Sequence, residues 1–133
     1  MKKLILGATG SIGSSLAKKI VAEGGQAHLV GRDEPSITNL AKELNSTFTT
    51  CDVLEDNFAD KIFNDLGDTP INGLAYCVGS IDLKPIKMTK KSDYMQSFNL
   101  NLISATEIIR RSSDSLKQNK GSIVLFSTVA VRR

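Results

Sequence analysis

The chain predicts an α/β domain, an open and doubly wound sheet of about five parallel strands held between two layers of helices in an αβα arrangement. Three observations carry this. Apolar runs alternate with amphipathic segments along all 133 residues. Most of the runs are continuous rather than alternating, which suits strands covered on both faces. A turn with glycines at equal spacing, "GATGSIG" at Gly7–Gly13, joins the first run to the first amphipathic segment.

In chain order, strands are expected at Lys3–Leu6, Ala27–Val30, Thr47–Cys51, Leu74–Val78 and Ser122–Phe126. Helical patterns fill the intervals at Ser11–Glu23, Glu34–Leu44, Asn57–Leu66 and roughly Ser92–Lys117. In the first helix Ile12, Leu16, Ile20 and Val21 keep one face apolar while Lys18 and Lys19 face water. "EGG" at Glu23–Gly25 ends it, because glycine takes positive φ freely. The long polar loop Gly79–Lys91 follows the fourth strand, at the carboxyl edge of the sheet where such folds bind ligands. Internal repeats and low-complexity tracts are absent.

One domain over residues 1–133 accounts for the length, with a core able to bury well over half of the unfolded surface. A hydrophobic content of 41% and a charged content of 23% are ordinary for a soluble globular protein. The net charge of +3 is small and scattered, so nucleic acid is not expected as a partner. Cys51 and Cys77 show no CxxC or CxxH spacing, and with a single histidine no metal site is expected. Both thiols read as free and reduced, which fits a cytoplasmic protein. The opening "MKKLILGATG" sets two lysines before apolar residues, but the run breaks at Gly7, too soon for a signal peptide. No stretch is long enough to span a membrane, so no membrane partner is expected.

The glycine turn sits directly after a strand and runs into a helix, the context a dinucleotide site requires. Gly7 permits the tight turn, Gly10 lets backbone approach a pyrophosphate, and Gly13 lets helix and strand pack closely. Free N–H groups and the helix dipole favour the anion there, with Thr9, Ser11 and Ile12 adding backbone or hydroxyl donors. The plainer alternative is a structural turn. At the end of the second strand, "HLVGRD" offers Arg32 and then Asp33. Arg32 can fork onto a 2′-phosphate, which selects NADP(H), while Asp33 keeps NAD(H) open. The alternative for Arg32 is a surface charge paired with Asp33 or Glu34.

With these residues in view, the chain resembles the short-chain dehydrogenase/reductase family, specifically its amino-terminal, cofactor-binding part, a Rossmann-type fold. "GATGSIG" is similar to the family's glycine turn, and its GxxGxxG spacing is closer to the extended or atypical branches. In branches with TGxxxGxG the middle glycine would fall on Ser11. "CDV" at Cys51–Val53 resembles the aspartate motif after a strand, implying that Asp52 contacts the adenine and Val53 covers its face. "YCVG" at Tyr76–Gly79 stands where the family has NNAG, implying a cofactor wall at Cys77 and Gly79, with Tyr76 and Cys77 in place of the asparagines. "FNLNL" at Phe98–Leu102 is similar to the helix motif of the form VNL, implying that Asn101 anchors a proton-relay water. "GSIVLFST" at Gly121–Thr128 resembles the strand that delivers the catalytic hydroxyl, which falls on Ser127 or Thr128. Each has a plainer role available: Asp52 as a helix N-cap, Asn101 as an exposed helical residue, and Ser127 and Thr128 as a strand end.

The family's chemistry further implies a tyrosine with a lysine four residues on, as general acid/base and its pKa-lowering partner. Here Tyr76 is followed at that spacing by Ser80, and Tyr94 by Phe98. The chain is therefore expected to be the first part of a longer protein, cut before its catalytic helix. The resemblance implies hydride transfer between NADP(H) and a carbonyl or alcohol substrate, with self-association through the helix starting near Ser92. Two other readings stay open. One is a catalytically inactive dinucleotide-binding regulator or scaffold. The other is a methyltransferase-like fold, which would prefer an acidic group where Arg32 stands.

Overall fold

β1 (Lys2–Leu6) divides its side chains between two cores. Leu4 and Leu6 pack with Val30, Leu74 and Tyr76 on one face of the sheet, while Ile5 joins Ala27, Leu29 and Ile37 on the other. None of these is more than 4% exposed. Each buried leucine or isoleucine contributes about 1.5–3 kcal/mol, so the central strand alone anchors both layers.

The computed structural model describes residues 1–80 and 83–127. After β1 come α1 (Ser11–Ala22), β2 (Gln26–Gly31), α2 (Glu34–Leu44), β3 (Thr47–Thr50), α3 (Phe58–Leu66) and β4 (Ile71–Tyr76). A 3-10 turn (Ile86–Met88), α4 (Lys91–Phe98), a π turn (Asn99–Ile103), α5 (Ser104–Gln118) and β5 (Ser122–Leu125) complete the described chain. All strands are parallel, in the order β3-β2-β1-β4-β5. α1 and α2 cover one face and α3 and α5 the other, which is the three-layer α/β architecture expected. The order of successive strands changes direction at β1, so the connections leaving β1 and β4 run to opposite faces of the sheet and leave a crevice between them.

Most expected elements appear within a residue or two of their expected limits. The fourth strand starts earlier and stops at Tyr76, so Cys77 and Val78 lie in the loop that leaves it. The expected helix from Ser92 starts at Lys91 and carries a π turn at Asn99–Ile103. β5 departs from the expected cover. Ile123, Val124 and Leu125 are 43%, 46% and 56% exposed although successive strand residues point to opposite faces.

A polar line crosses the first core. Lys2 Nζ donates to Thr47 Oγ1 at 3.0 Å, and Thr49 Oγ1 donates to Asp65 Oδ2 at 2.7 Å. His28, 1% exposed, sits between the two threonines at 2.7 Å and 2.8 Å. Because Thr49 gives its proton to the carboxylate, it must accept from His28 Nε2–H. With the ring kept neutral by burial, Nδ1 accepts from Thr47. Burial pushes its pKa down to about 4, with the Lys2 charge assisting.

Candidate active site

Gly7 leaves β1 with φ +74°, a conformation open to glycine at little cost. A Cβ there would lie 2.6 Å from the Cys77 carbonyl oxygen, where β4 ends. The Gly7 and Ala8 N–H groups both donate to Val30 O at 3.0 Å, pinning the turn to the end of β2. In the first turn of α1, a Cβ on Gly13 would sit 2.2 Å from Gly7 O. The protein itself therefore requires the first and third glycines. Gly10 differs. Its φ of −74° and ψ of 172° suit any residue, and a Cβ would find only Gly7 O at 3.5 Å, an ordinary contact.

Gly10 is also the N-cap of α1. It offers no side-chain cap, and the first turn holds no acidic residue. The leading N–H groups and the positive end of the helix dipole are thus open at the turn. From here a cleft of about 470 Å³ runs over the carboxyl ends of the strands. The structure brings Gly7, Thr9, Gly10, Arg32, Asp52, Val53, Cys77 and Gly79 together in its lining. Gly13 lies buried beneath the turn. Ile12 faces the neighbouring cavity instead, and Ser11 lines neither space among the described residues.

Two carboxylates at this edge have local partners. Asp33 caps α2, accepting from the Ser36 N–H at 3.1 Å and from the Ser36 hydroxyl. Those bonds hold its pKa below the usual carboxylate range. Arg32 beside it lines the cleft and makes no ion pair among the described residues. Asp52 accepts from Leu54 N–H at 2.9 Å, and its own N–H donates to Glu55 Oε1 at 3.2 Å. This is a reciprocal turn rather than the cap of α3, which starts later at Phe58. Both cysteines are free. Burial pushes the Cys51 thiol up to about 11 and raises that of Cys77 as well, so both stay protonated near neutrality.

A second cavity of about 950 Å³ adjoins the cleft and shares Cys77, Val78, Gly79 and Ser80 with it. Ile12, Tyr94, Asn101 and Ser127 line its other sides. Asn101 Nδ2 donates to Ser80 O and Ser97 Oγ, each at 3.3 Å. Ser127 and Asn101 thus face one space, while Thr128 lies outside the described residues. Sequence reasoning missed the rest of this helix. Tyr94, Ser97 and Asn101 line the second cavity, while Gln96 and Leu100 line the first. Their three- and four-residue spacing was the available signal, since such residues share a helix face.

Comparisons with known proteins agree with this fold. Over residues 2–133 the sequence matches the family described as short chain dehydrogenase. An uncharacterised oxidoreductase of Mycobacterium bovis is 28% identical over 145 residues, covering 97% of this chain and 42% of its own length. The polyketide synthase GfsA of Streptomyces halstedii is 28% identical over 139 residues, covering 96% of this chain and 2% of that protein. The chain thus spans less than half the length of these relatives. Among solved structures, the KRED1-Pglu enzyme superposes with a TM-score of 0.93 at 18% identity, over 99% of this chain and 58% of that one. A short chain dehydrogenase/reductase of Saccharomyces cerevisiae gives 0.92 at 18% identity, over 99% and 55%. These structures share the fold. With a glycine turn at the switch point of a five-stranded parallel sheet and a family match over nearly its full length, the chain belongs to the short-chain dehydrogenase family.

Proposed function

We propose that the chain is the amino-terminal, cofactor-binding part of an NAD(P)-dependent oxidoreductase that moves a hydride between NADP(H) and a small carbonyl or alcohol substrate. Gly10 carries the reading. Neither its backbone angles nor its neighbours call for glycine, yet it lies in the cleft wall at the uncapped start of α1. A pyrophosphate explains both features, because backbone can approach it only where no Cβ intervenes.

The residues present fit such a cofactor. Gly7, Gly10 and Gly13 form its turn, Thr9 lines the cleft beside it, and the backbone N–H groups of Ser11 and Ile12 at the uncapped start of α1 would supply donors to the pyrophosphate. Asp52 and Val53 flank the adenine, and Cys77 and Gly79 form the wall next to the second cavity. Arg32 takes the 2′-phosphate. The engagement of Asp33 with Ser36 supports NADP(H) over NAD(H), because the competing acid is committed to α2. When bound, the cofactor supplies or accepts the hydride. In the second cavity Asn101 would hold a water and Ser127 would offer a hydroxyl to the substrate oxygen, with Thr128, the other candidate, outside the described residues.

Neither tyrosine completes the proton path. Tyr76 is 4% exposed with its hydroxyl committed to Leu100 O, and burial pushes it up to about 12. Tyr94 has Phe98 where a lysine is needed. The reading therefore assigns the proton carrier to residues outside 1–133. It also carries a cytoplasmic location and a second copy packed along α4, where Phe98 is 58% exposed and Leu102 in the π turn 53%.

The test is calorimetric titration of the chain with NADPH, NADH and S-adenosylmethionine. NADPH should bind most tightly. Binding of neither dinucleotide overturns the reading, and a preference for S-adenosylmethionine replaces it with the methyltransferase one. If the full reading frame binds NADPH but turns over no carbonyl, the regulator reading takes its place.

A further inference from the structure

The π turn at Asn99–Ile103 leaves one helix carbonyl without its usual donor. In an unbroken α-helix the Ser104 N–H would bond Leu100 O, four residues back. Here it donates to Asn99 O instead. The Leu100 carbonyl is filled from outside the helix, by the Tyr76 hydroxyl at 2.5 Å. Tyr76 is the last residue of β4, with its ring in the first core. Ser104 Oγ ties the other end of the turn to Val53 O at 2.7 Å.

We propose that Tyr76 is a positioning residue: its buried hydroxyl holds the π turn open at Leu100 and so fixes the next residue, Asn101, at the wall of the second cavity. A π turn inserts one residue into the helix and rotates α4 by about 100° relative to α5, given 3.6 residues per turn. Without the phenol, the cheapest repair is for Ser104 N–H to return to Leu100 O. That repair removes the rotation. Tyr94, Ser97 and Asn101 then no longer share a wall with Ile12 and Ser127. Tyr76 itself also lines that cavity, so one side chain links the strand end, the helix register and the site. The inference rests on reading the second cavity as the place where substrate sits.

Tyr76→Phe keeps the ring and removes only the hydroxyl. Ser115→Ala is the control. Ser115 Oγ accepts from Ile71 N–H at 3.1 Å, tying the opposite end of the same strand to α5. Amide exchange in Tyr76→Phe should rise about tenfold or more at residues 101–105, the scale for a buried polar group left unpaired. Amides of β1 and α2 should hold their rates, and the Asn101 side-chain amide signals should move. Ser115→Ala should change exchange near Ile71 alone. In the full reading frame, Tyr76→Phe should lower kcat about tenfold with the cofactor KM within twofold, and Ser115→Ala should leave kcat alone. Unchanged exchange at 101–105, or a rise spread evenly over the sheet, overturns the positioning role. A normal exchange response with no NADPH binding by the wild type sinks the oxidoreductase reading and leaves the Tyr76–Leu100 link standing.

Discussion

The Gly7 carbonyl oxygen lies 2.2 Å from where a Cβ on Gly13 would be, so the start of α1 rests directly on the turn that precedes it. Gly13→Ala must push backbone apart, and the expected loss of stability is about 3 kcal/mol, the upper part of the overpacking range. Gly10→Ala meets no such obstacle at its Cβ, should lose only about 1 kcal/mol as a poorer N-cap residue, and should bind NADPH at least tenfold more weakly. Equal NADPH affinity in the folded Gly10→Ala protein would remove the pyrophosphate from this turn. Gly13→Val is a poor probe of binding, because it attacks the fold first.

Arg32 and Asp33 are neighbours with opposite commitments. Arg32→Ala should lower NADPH affinity about tenfold or more, as expected for a lost charge-assisted bond, and NADH affinity by less than threefold. Asp33→Ala should lower the melting temperature through the lost cap of α2, with the NADPH/NADH ratio held. A ratio that collapses only in Asp33→Ala would transfer cofactor choice to the acid.

His28 makes stability depend on pH in a defined window. Its folded pKa of about 4 lies below the ordinary 6.5, so the unfolded chain binds more protons between the two. Stability is full above about 6.5, falls as pH drops through the window, and levels off below about 4. The loss amounts to about 3 kcal/mol by linkage. Since His28 is the only histidine, His28→Gln should flatten urea-derived stability between pH 6.5 and 4.5. An unchanged slope would mean that other groups carry the effect.

Residues 1–133 alone should oxidise NADPH with no aldehyde or ketone above the uncatalysed rate. Ser127 and Asn101 reach the second cavity, but no described tyrosine has a lysine to lower its pKa. The full reading frame should add a tyrosine about a dozen residues past Thr128 and a lysine one helical turn later. Steady turnover by the 133-residue chain would refute this division of labour.

What the sequence made legible was local. The glycine turn, the strand–helix alternation and the residues gathered at the strand ends all come from short spacings, and β1 through β3 appear where apolar runs predict them, while β4 begins earlier, at Ile71. The helix from Ser92 was legible as a helix but not as an interrupted one. Its interruption depends on Tyr76, 24 residues before Leu100 and on another element. The capping role of Asp33 was concealed by its place next to Arg32, where a cofactor rule offered a more specific use for the same carboxylate. The His28 line was invisible for a related reason. Thr47, Thr49 and Asp65 come from β3 and α3, and their meeting depends on strand register, which short-range patterns do not encode.

β5 gives the isolated chain an adhesive border. Among the described residues it lies at one end of the sheet, pairs only with β4, and presents Ile123, Val124 and Leu125 to water. Its outer N–H and C=O groups form a template for any extended segment that meets them, and apolar side chains on both faces reward the union. Concentrated solutions of residues 1–133 should consequently cloud on warming well before the cores melt. Val124→Lys should delay that clouding without altering either core, because charge on a border strand discourages a second strand from docking.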